Sequence, residues 1–279
     1  MPRWIIQWRP ALFMLPMLML LALFQLAPLV WVLIHSLLDD DAQFSWIHYH
    51  DILASPFYRQ AFMHSLWISV FSSLIGLIIA TIGCASLRHT QGRLRQLLLA
   101  FTNMTSNFAG VPLAFAFIII LGFNGMMTLI LRRIGWIDDF NLYSSHGLML
   151  IYSYFQIPLA ILLLYPAFDV LKDEWAESAG LLGASRSYYW RKIALPVLAP
   201  ALLGTFIILL ANGMGAYATA YALTSGNYNL VTIRIASLVS GDLYLEPNLA
   251  ASMSVLLVIL LTLVACINQW LLKRSYHAE

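Results

Sequence analysis

The chain has 279 residues, of which 61% are hydrophobic and only 10% charged, a composition that excludes an ordinary soluble domain and belongs in lipid. Fifteen Lys and Arg against thirteen Asp and Glu leave a net charge of +2, which gives no electrostatic case for a nucleic-acid partner. Cys84 and Cys266 both stand inside apolar runs, where a thiol behaves as a small hydrophobe and not as half of a disulfide framework.

Crossing about 30 Å of hydrocarbon takes roughly 20 mostly apolar residues in a helix. Six stretches of at least that length contain no Asp, Glu, Lys or Arg: 11–38, 62–87, 96–123, 142–168, 197–224 and 247–272. The first follows Arg3 and Arg9 as a secretory signal would, but it is too long and has no small-residue cleavage site before Asp39, Asp40 and Asp41. It reads as a retained span, kinked at Pro16 or Pro28. Arg3, Arg9, Arg88, Arg93, Arg95, Lys172, Arg186, Arg191, Lys192, Lys273 and Arg274 fall in one set of connections, 11 of the 15 basic residues. The other set holds Arg59, Arg132, Arg133 and Arg234. The basic excess marks the cytoplasmic side, so both termini are expected there. Trp46, Trp136, Tyr143, Tyr188, Tyr189, Trp190, Tyr244 and Trp270 lie near span ends, as rings at headgroup level do. The expected architecture is a single all-α integral membrane domain over 1–279 with six transmembrane helices.

Carriers coupled to ions or protons need ionisable groups near the bilayer midplane, and the spans contain no charged residue. His35, His64 and His146 stand toward the outer span ends, where helix packing is the plainer role. Lys172, Lys192 and Lys273 are the only lysines and none follows a glycine, so the phosphate-cradling loop of an ATP-driven motor is missing. Any driven transport must take its energy from another polypeptide. No HExxH, GxSxG or CxxC pattern is present. His48 and His50 are two residues apart, a spacing that points them to different helix faces. An intramembrane enzyme built from a lone Ser and His, or a membrane assembly protein, stays open as the alternative.

The connection 169–196 between the fourth and fifth spans is the most informative. Asp173 and Glu174 load the first turn of a short helix with negative charge, favourable against its dipole. Ala176, Ala179, Gly180 and Gly183 recur at i, i+3, i+4 and i+7, leaving one face nearly bare and open to close backbone approach. Gly183 is placed to end the helix, Ser185 or Ser187 to cap the next, and Pro196 and Pro200 to start the fifth span. By spacing alone, this hairpin serves equally as a membrane-surface element packed on its own chain or as a docking surface.

Glu177, Ser178 and Ala179, then Gly183, then Ile193, Leu195 and Pro196 resemble the signature loop of the permease subunits of bacterial binding-protein-dependent ABC importers. Ser178 stands where that pattern has alanine. A leading span followed by five helices is similar to the type I importer permease, and the resemblance makes the 169–196 hairpin a coupling element. It implies that Glu177, Ser178, Ala179, Gly180, Gly183, Ile193, Leu195 and Pro196 couple to an ATPase, with the short helix seated in a cleft on that partner. The implied assembly has a second permease subunit, like or unlike this one, two cytoplasmic ATPases carrying ATP and Mg, and an extracytoplasmic solute-binding protein. No cofactor is expected in this chain. The GAYATAYALTSG stretch is most similar to permeases of polyamine, ferric-iron and organophosphonate importers.

A path between two permeases would be lined by polar residues of otherwise apolar spans. Asn103, Thr105, Ser106 and Asn107 in the third span and Asn212, Tyr217, Thr219 and Tyr221 in the fifth are the candidates. Interhelical hydrogen bonding is the equally weighted reading of the same residues. Gly213 and Gly215 suit either a gate or tight packing. Val231, Ile235, Leu238 and Val239 predict an amphipathic helix at the outer surface.

Overall fold

The computed structural model describes residues 14–137, 140–240 and 245–276, with side chains described through Trp270. Arg3, Arg9, Asp138, Asp139, Asp242 and Tyr244, and the side chains of Lys273 and Arg274, lie outside that set, as does the start of the predicted first span. Among the described residues the chain is almost entirely helical, with one isolated antiparallel bridge between Leu38 and Phe44. Six helices are long and apolar enough to cross a membrane.

The first, α1 (Met14–His35), has no buried residue in its apolar window. It contains a π-helical turn at Ala22–Leu26, ending two residues before Pro28. Proline lacks an N–H and its ring crowds the carbonyl four residues back, and the wider π turn accommodates that crowding. After α2 (Ile47–Ala54) comes α3 (Pro56–Leu87), the longest helix at 32 residues. The predicted third span divides. Residues 96–106 belong to α4 (Arg93–Ser106), the chain breaks at 107–110, and α5 (Val111–Leu121) with α6 (Met126–Arg133) forms the apolar stretch Val111–Arg133. Gly110 at φ +76° caps α5 and Pro112 sits in its first turn, where a missing N–H costs nothing.

The fourth span, α7 (Ser145–Phe168), is capped by the Ser144 hydroxyl, which accepts from the Gly147 N–H at 3.5 Å. A short helix α8 (Asp173–Leu181) follows. The fifth span differs from expectation at both ends. Its helix α9 runs Arg186–Met214, so Pro196 and Pro200 stand inside it and not at its start. The strain is again taken up by a π turn, Trp190–Ala194, ending two residues before Pro196. Past Met214 the helix stops at Gly215 and Ala216, and α10 (Tyr217–Thr224) begins. The helix predicted over this segment, α11 (Val231–Ser240), is present, but Val231 and Ile233 are its buried residues while Val239 is exposed. The last span is α12 (Pro247–Tyr276).

Two compact units divide the chain, one of Met1–Arg59 with Arg234–Leu260, the other of Gln60–Ile233 with Leu261–Glu279. In the first, the Ser252 hydroxyl donates to the Ser36 carbonyl at 2.9 Å and the Asn248 amide to the Asp39 carbonyl at 3.0 Å. The Arg234 guanidinium lies 4.9 Å from the Phe57 ring centre. The second holds two apolar cores. One gathers Ile68, Leu113, Leu148, Ile151, Phe155 and Leu223; the other gathers Cys84, Leu164, Phe168, Ala179, Tyr189 and Leu198. In lipid such helices associate through close packing and polar contacts, because the tails are as apolar as leucine. A β-carbon at Gly76 would stand 3.1 Å from the Gln156 β-carbon, and one at Gly213 would meet the Gln156 amide nitrogen at 2.9 Å. Small residues therefore set how closely α3, α7 and α9 approach.

Candidate functional site

The loop that follows α7 is tied down on its inner side. Arg88, just past the end of α3, donates to the Leu171 carbonyl at 2.6 Å and forms an ion pair with Asp173 in the first turn of α8. Arg95 approaches Asp169 at 3.7 Å and lies 5.1 Å from the Tyr165 ring centre. These two arginines fasten the loop to α3 and α4.

The far end of α8 closes as a Schellman turn. The Ala184 N–H donates to the Ala179 carbonyl and the Gly183 N–H to the Gly180 carbonyl, each at 2.9 Å. Gly183 adopts φ +81°, a left-handed conformation that costs a side-chain-bearing residue about 1–2 kcal/mol. The Ser185 hydroxyl then accepts from the Tyr188 N–H at 3.2 Å and starts α9. Of the two serines considered for that cap, Ser185 is the one used.

The small-residue face is shared between two directions. Ala179 is only 8% exposed and packs into the core with Phe168, Leu171, Tyr189 and Ala194. Ala176, Gly180 and Gly183 are exposed, and a β-carbon at Gly180 or Gly183 would meet nothing within 4 Å. Glu177 and Ser178 are also exposed. Leu181 and Leu182 are 90% and 89% exposed, although they lie outside every membrane span. Beside them opens a groove of about 930 Å³, lined by Trp175, Ser178, Leu182, Tyr188, Ile193 and Val197. Ile193 is half-buried in this wall, while Leu195 and Pro196 are exposed on α9. The arrangement is a short helix fastened on one side by Arg88 and exposing Leu181 and Leu182 at its far end. Sequence reasoning missed Arg88, Arg95, Trp175 and the Leu181–Leu182 pair; an adjacent leucine pair in a loop outside the spans was the available signal.

The polar span residues sort into two groups. Thr105 donates to the Phe101 carbonyl at 3.0 Å, Ser106 to the Asn103 carbonyl at 2.8 Å, and Asn107 to the same carbonyl at 2.9 Å. Those groups are satisfied within their own helix end. Thr219 is buried, and its hydroxyl accepts from the Gly110 N–H at 2.9 Å. This bond joins the break in the third span to the start of α10. The Tyr152 hydroxyl donates to the Ala216 carbonyl at 2.9 Å, which satisfies the second break. Asn103, Asn107, Asn212, Tyr217 and Tyr221 are exposed, the two tyrosine rings 5.3 Å apart. The two interruptions thus meet, flanked by uncharged polar side chains. Gly213 is packed against Gln156 and Ser69, which answers the gate-or-packing question there in favour of packing, while Gly215 lies in the break itself.

Residues 72–275 match the family described as binding-protein-dependent transport system inner membrane component. A sulfate transport system permease protein, CysT of Salmonella typhimurium, is 27% identical over 184 residues, covering 63% of this chain and 62% of that protein. The match thus spans about three fifths of that relative's length. The spermidine/putrescine transport system permease protein PotC of Haemophilus influenzae is 23% identical over 234 residues, 84% of each chain. Among solved structures, a bacterial ABC transporter involved in import of the acidic polysaccharide alginate superposes with a TM-score of 0.76 at 16% identity, over 96% of each chain. The methionine ABC transporter MetNI in an inward-facing conformation gives 0.58 at 16% identity over 83% of this chain and 99% of that one.

Proposed function

The chain belongs to the binding-protein-dependent transport system inner membrane component family, and from that premise we propose that it is the permease subunit of an ATP-driven solute importer. It forms half of a translocation path with a second permease subunit and couples through α8 to a separate cytoplasmic ATPase that holds the ATP and Mg. An extracytoplasmic binding protein delivers the solute, and both termini of this chain face the cytoplasm. The observation that carries the reading is the Leu181–Leu182 pair, almost fully exposed on a rod anchored by Arg88. Two leucines outside the bilayer and open to water cost about 1.5–3 kcal/mol each relative to burial, a cost that a seated partner removes.

Force then has a direct route. Ala179 on α8, Phe168 on α7 and Leu198 on α9 share one core, so a push on the rod moves the bases of both spanning helices. Glu177 adds a charged contact at the docking face, and exposed Gly180 and Gly183 allow a partner's surface to come close. The side chains around the meeting point of the two helix breaks are uncharged, which suits a path that passes its solute and leaves recognition to the binding protein. A polyamine, an organophosphonate or ferric iron is the solute class raised by the sequence; the spermidine/putrescine relative supports the first.

The test is co-purification of the partner ATPase with this chain carrying Leu181→Asp and Leu182→Asp together. The reading expects the ATPase to be lost while the membrane protein is still inserted and monodisperse. A stoichiometric ATPase on that variant would overturn it.

A further inference from the structure

Two adjoining grooves lie where α3 ends and α9 begins, of about 550 Å³ and about 420 Å³. His89, Arg186 and Trp190 line both, so they form one continuous trough with two different ends. The loop end is polar. Arg186 and His89 are exposed, and their side chains make no ion pair or hydrogen bond among the described residues. Arg88 also borders this end, but its charge is spent on Asp173. Tyr189 forms part of the wall, 6% exposed, with a buried hydroxyl that has no partner, a state that a buried polar group does not hold without cost. The other end climbs onto the spanning helices, where Ile82 and Ala85 of α3 and Leu195 of α9 supply an apolar wall.

We propose that this trough binds one anionic phospholipid, with its phosphate held by Arg186 and His89 against the Tyr189 wall and an acyl chain laid along Ile82, Ala85 and Leu195. Charge complementarity selects the head and the apolar continuation selects the tail. A free anion or a carboxylate from a protein partner satisfies only the polar end, whereas a phospholipid satisfies both. Trp190, lining both halves, stands where rings favour the boundary between headgroups and tails. Basic pockets between spanning helices at a membrane face are suited to acidic headgroups, each cation contributing about fivefold in affinity. The site adjoins α8, since Asp173, Ala176 and Gly180 border its polar end, so an occupying lipid would buttress the anchored side of the rod. This assignment does not depend on which solute is carried or on whether an ATPase docks.

The experiment is native mass spectrometry of the full chain in detergent, titrated with phosphatidylglycerol, phosphatidylcholine or inorganic phosphate. Phosphatidylglycerol is expected to be retained about fivefold or more over phosphatidylcholine, and inorganic phosphate should not compete. Arg186→Gln should abolish the preference, and Arg186→Lys, which keeps the charge, should retain most of it. Ile82→Trp, which fills the apolar end, should reduce retention of both lipids. Equal retention of the two lipids by the unsubstituted chain, or an unchanged preference in Arg186→Gln, would overturn the proposal. So would competition by inorganic phosphate, which would mark a free-anion site. Absence of lipid preference in the unsubstituted chain, combined with a cross-link from Arg186→Cys to an ATPase, would give the trough to a protein partner instead.

Discussion

At the scale of single residues, Gly183 and Gly213 illustrate two different reasons for glycine. Gly183 stands in open space with φ +81°, so a substitution there is limited by backbone conformation and not by volume. Gly183→Ala is expected to cost about 1 kcal/mol locally, and Gly183→Asn less, because asparagine tolerates the left-handed region. Hydrogen exchange of the amides at 178–185 would check the order. If the alanine variant protected those amides as well as the parent, the turn would not be under conformational control. Gly213 is the reverse case, at ordinary φ but with the Gln156 amide nitrogen and the Ser69 hydroxyl only 2.9 Å and 3.0 Å from where a β-carbon would stand. Gly213→Val should therefore destabilise the folded protein in detergent by about 1–3 kcal/mol, read as a lowered unfolding midpoint. An unchanged midpoint would mean that α3, α7 and α9 are not packed this closely.

At the scale of elements, the six apolar stretches and the short helix between the fourth and fifth were legible because hydropathy and the Asp173–Glu174 start are local signals. The breaks within the third and fifth spans were not, since apolar composition continues across them. Gly110 followed by Pro112, and Gly215, stand at these stops, and each also fits an unbroken lipid-buried helix in which neighbours satisfy freed carbonyls. Only the tertiary bonds, Gly110 to Thr219 and Tyr152 to Ala216, decide between the two. The docking-face pattern was likewise half legible. Spacing put Ala179 with Gly180 and Gly183, while contact with Phe168 and Tyr189 turns Ala179 inward. The ion pair of Arg88 with Asp173 joins residues 85 apart in sequence and no periodicity announces it. Arg88→Ala should loosen α8 without unfolding the spans, giving faster proteolysis within 169–185 by roughly tenfold to a hundredfold, as expected for losing charged hydrogen bonds worth about 1.5–3 kcal/mol. Unaltered proteolysis would show that apolar contacts alone hold the hairpin.

At the scale of the whole molecule, the composition that placed the chain in lipid leaves large apolar side chains exposed on the described helices. No residue of α1's apolar window is buried within this chain, and α1 precedes the family-matched segment at 72–275. Outside the spans, the described residues that expose large apolar side chains include Leu97, Phe101 and Met104 on α4 as well as Leu181 and Leu182 at the tip of α8. If α8 couples to an ATPase as proposed, its tip transmits force from that nucleotide-driven partner. The most direct measurement places a single cysteine at Leu182 in a chain with Cys84 and Cys266 replaced by serine, and asks for cross-linking in the intact, membrane-embedded assembly with and without trapped nucleotide. The account predicts a cross-link to the ATPase in both states, with hydrolysis no longer supporting solute uptake once it forms. An ATPase that stays bound and active but gives no cross-link from position 182 in either state would contradict it.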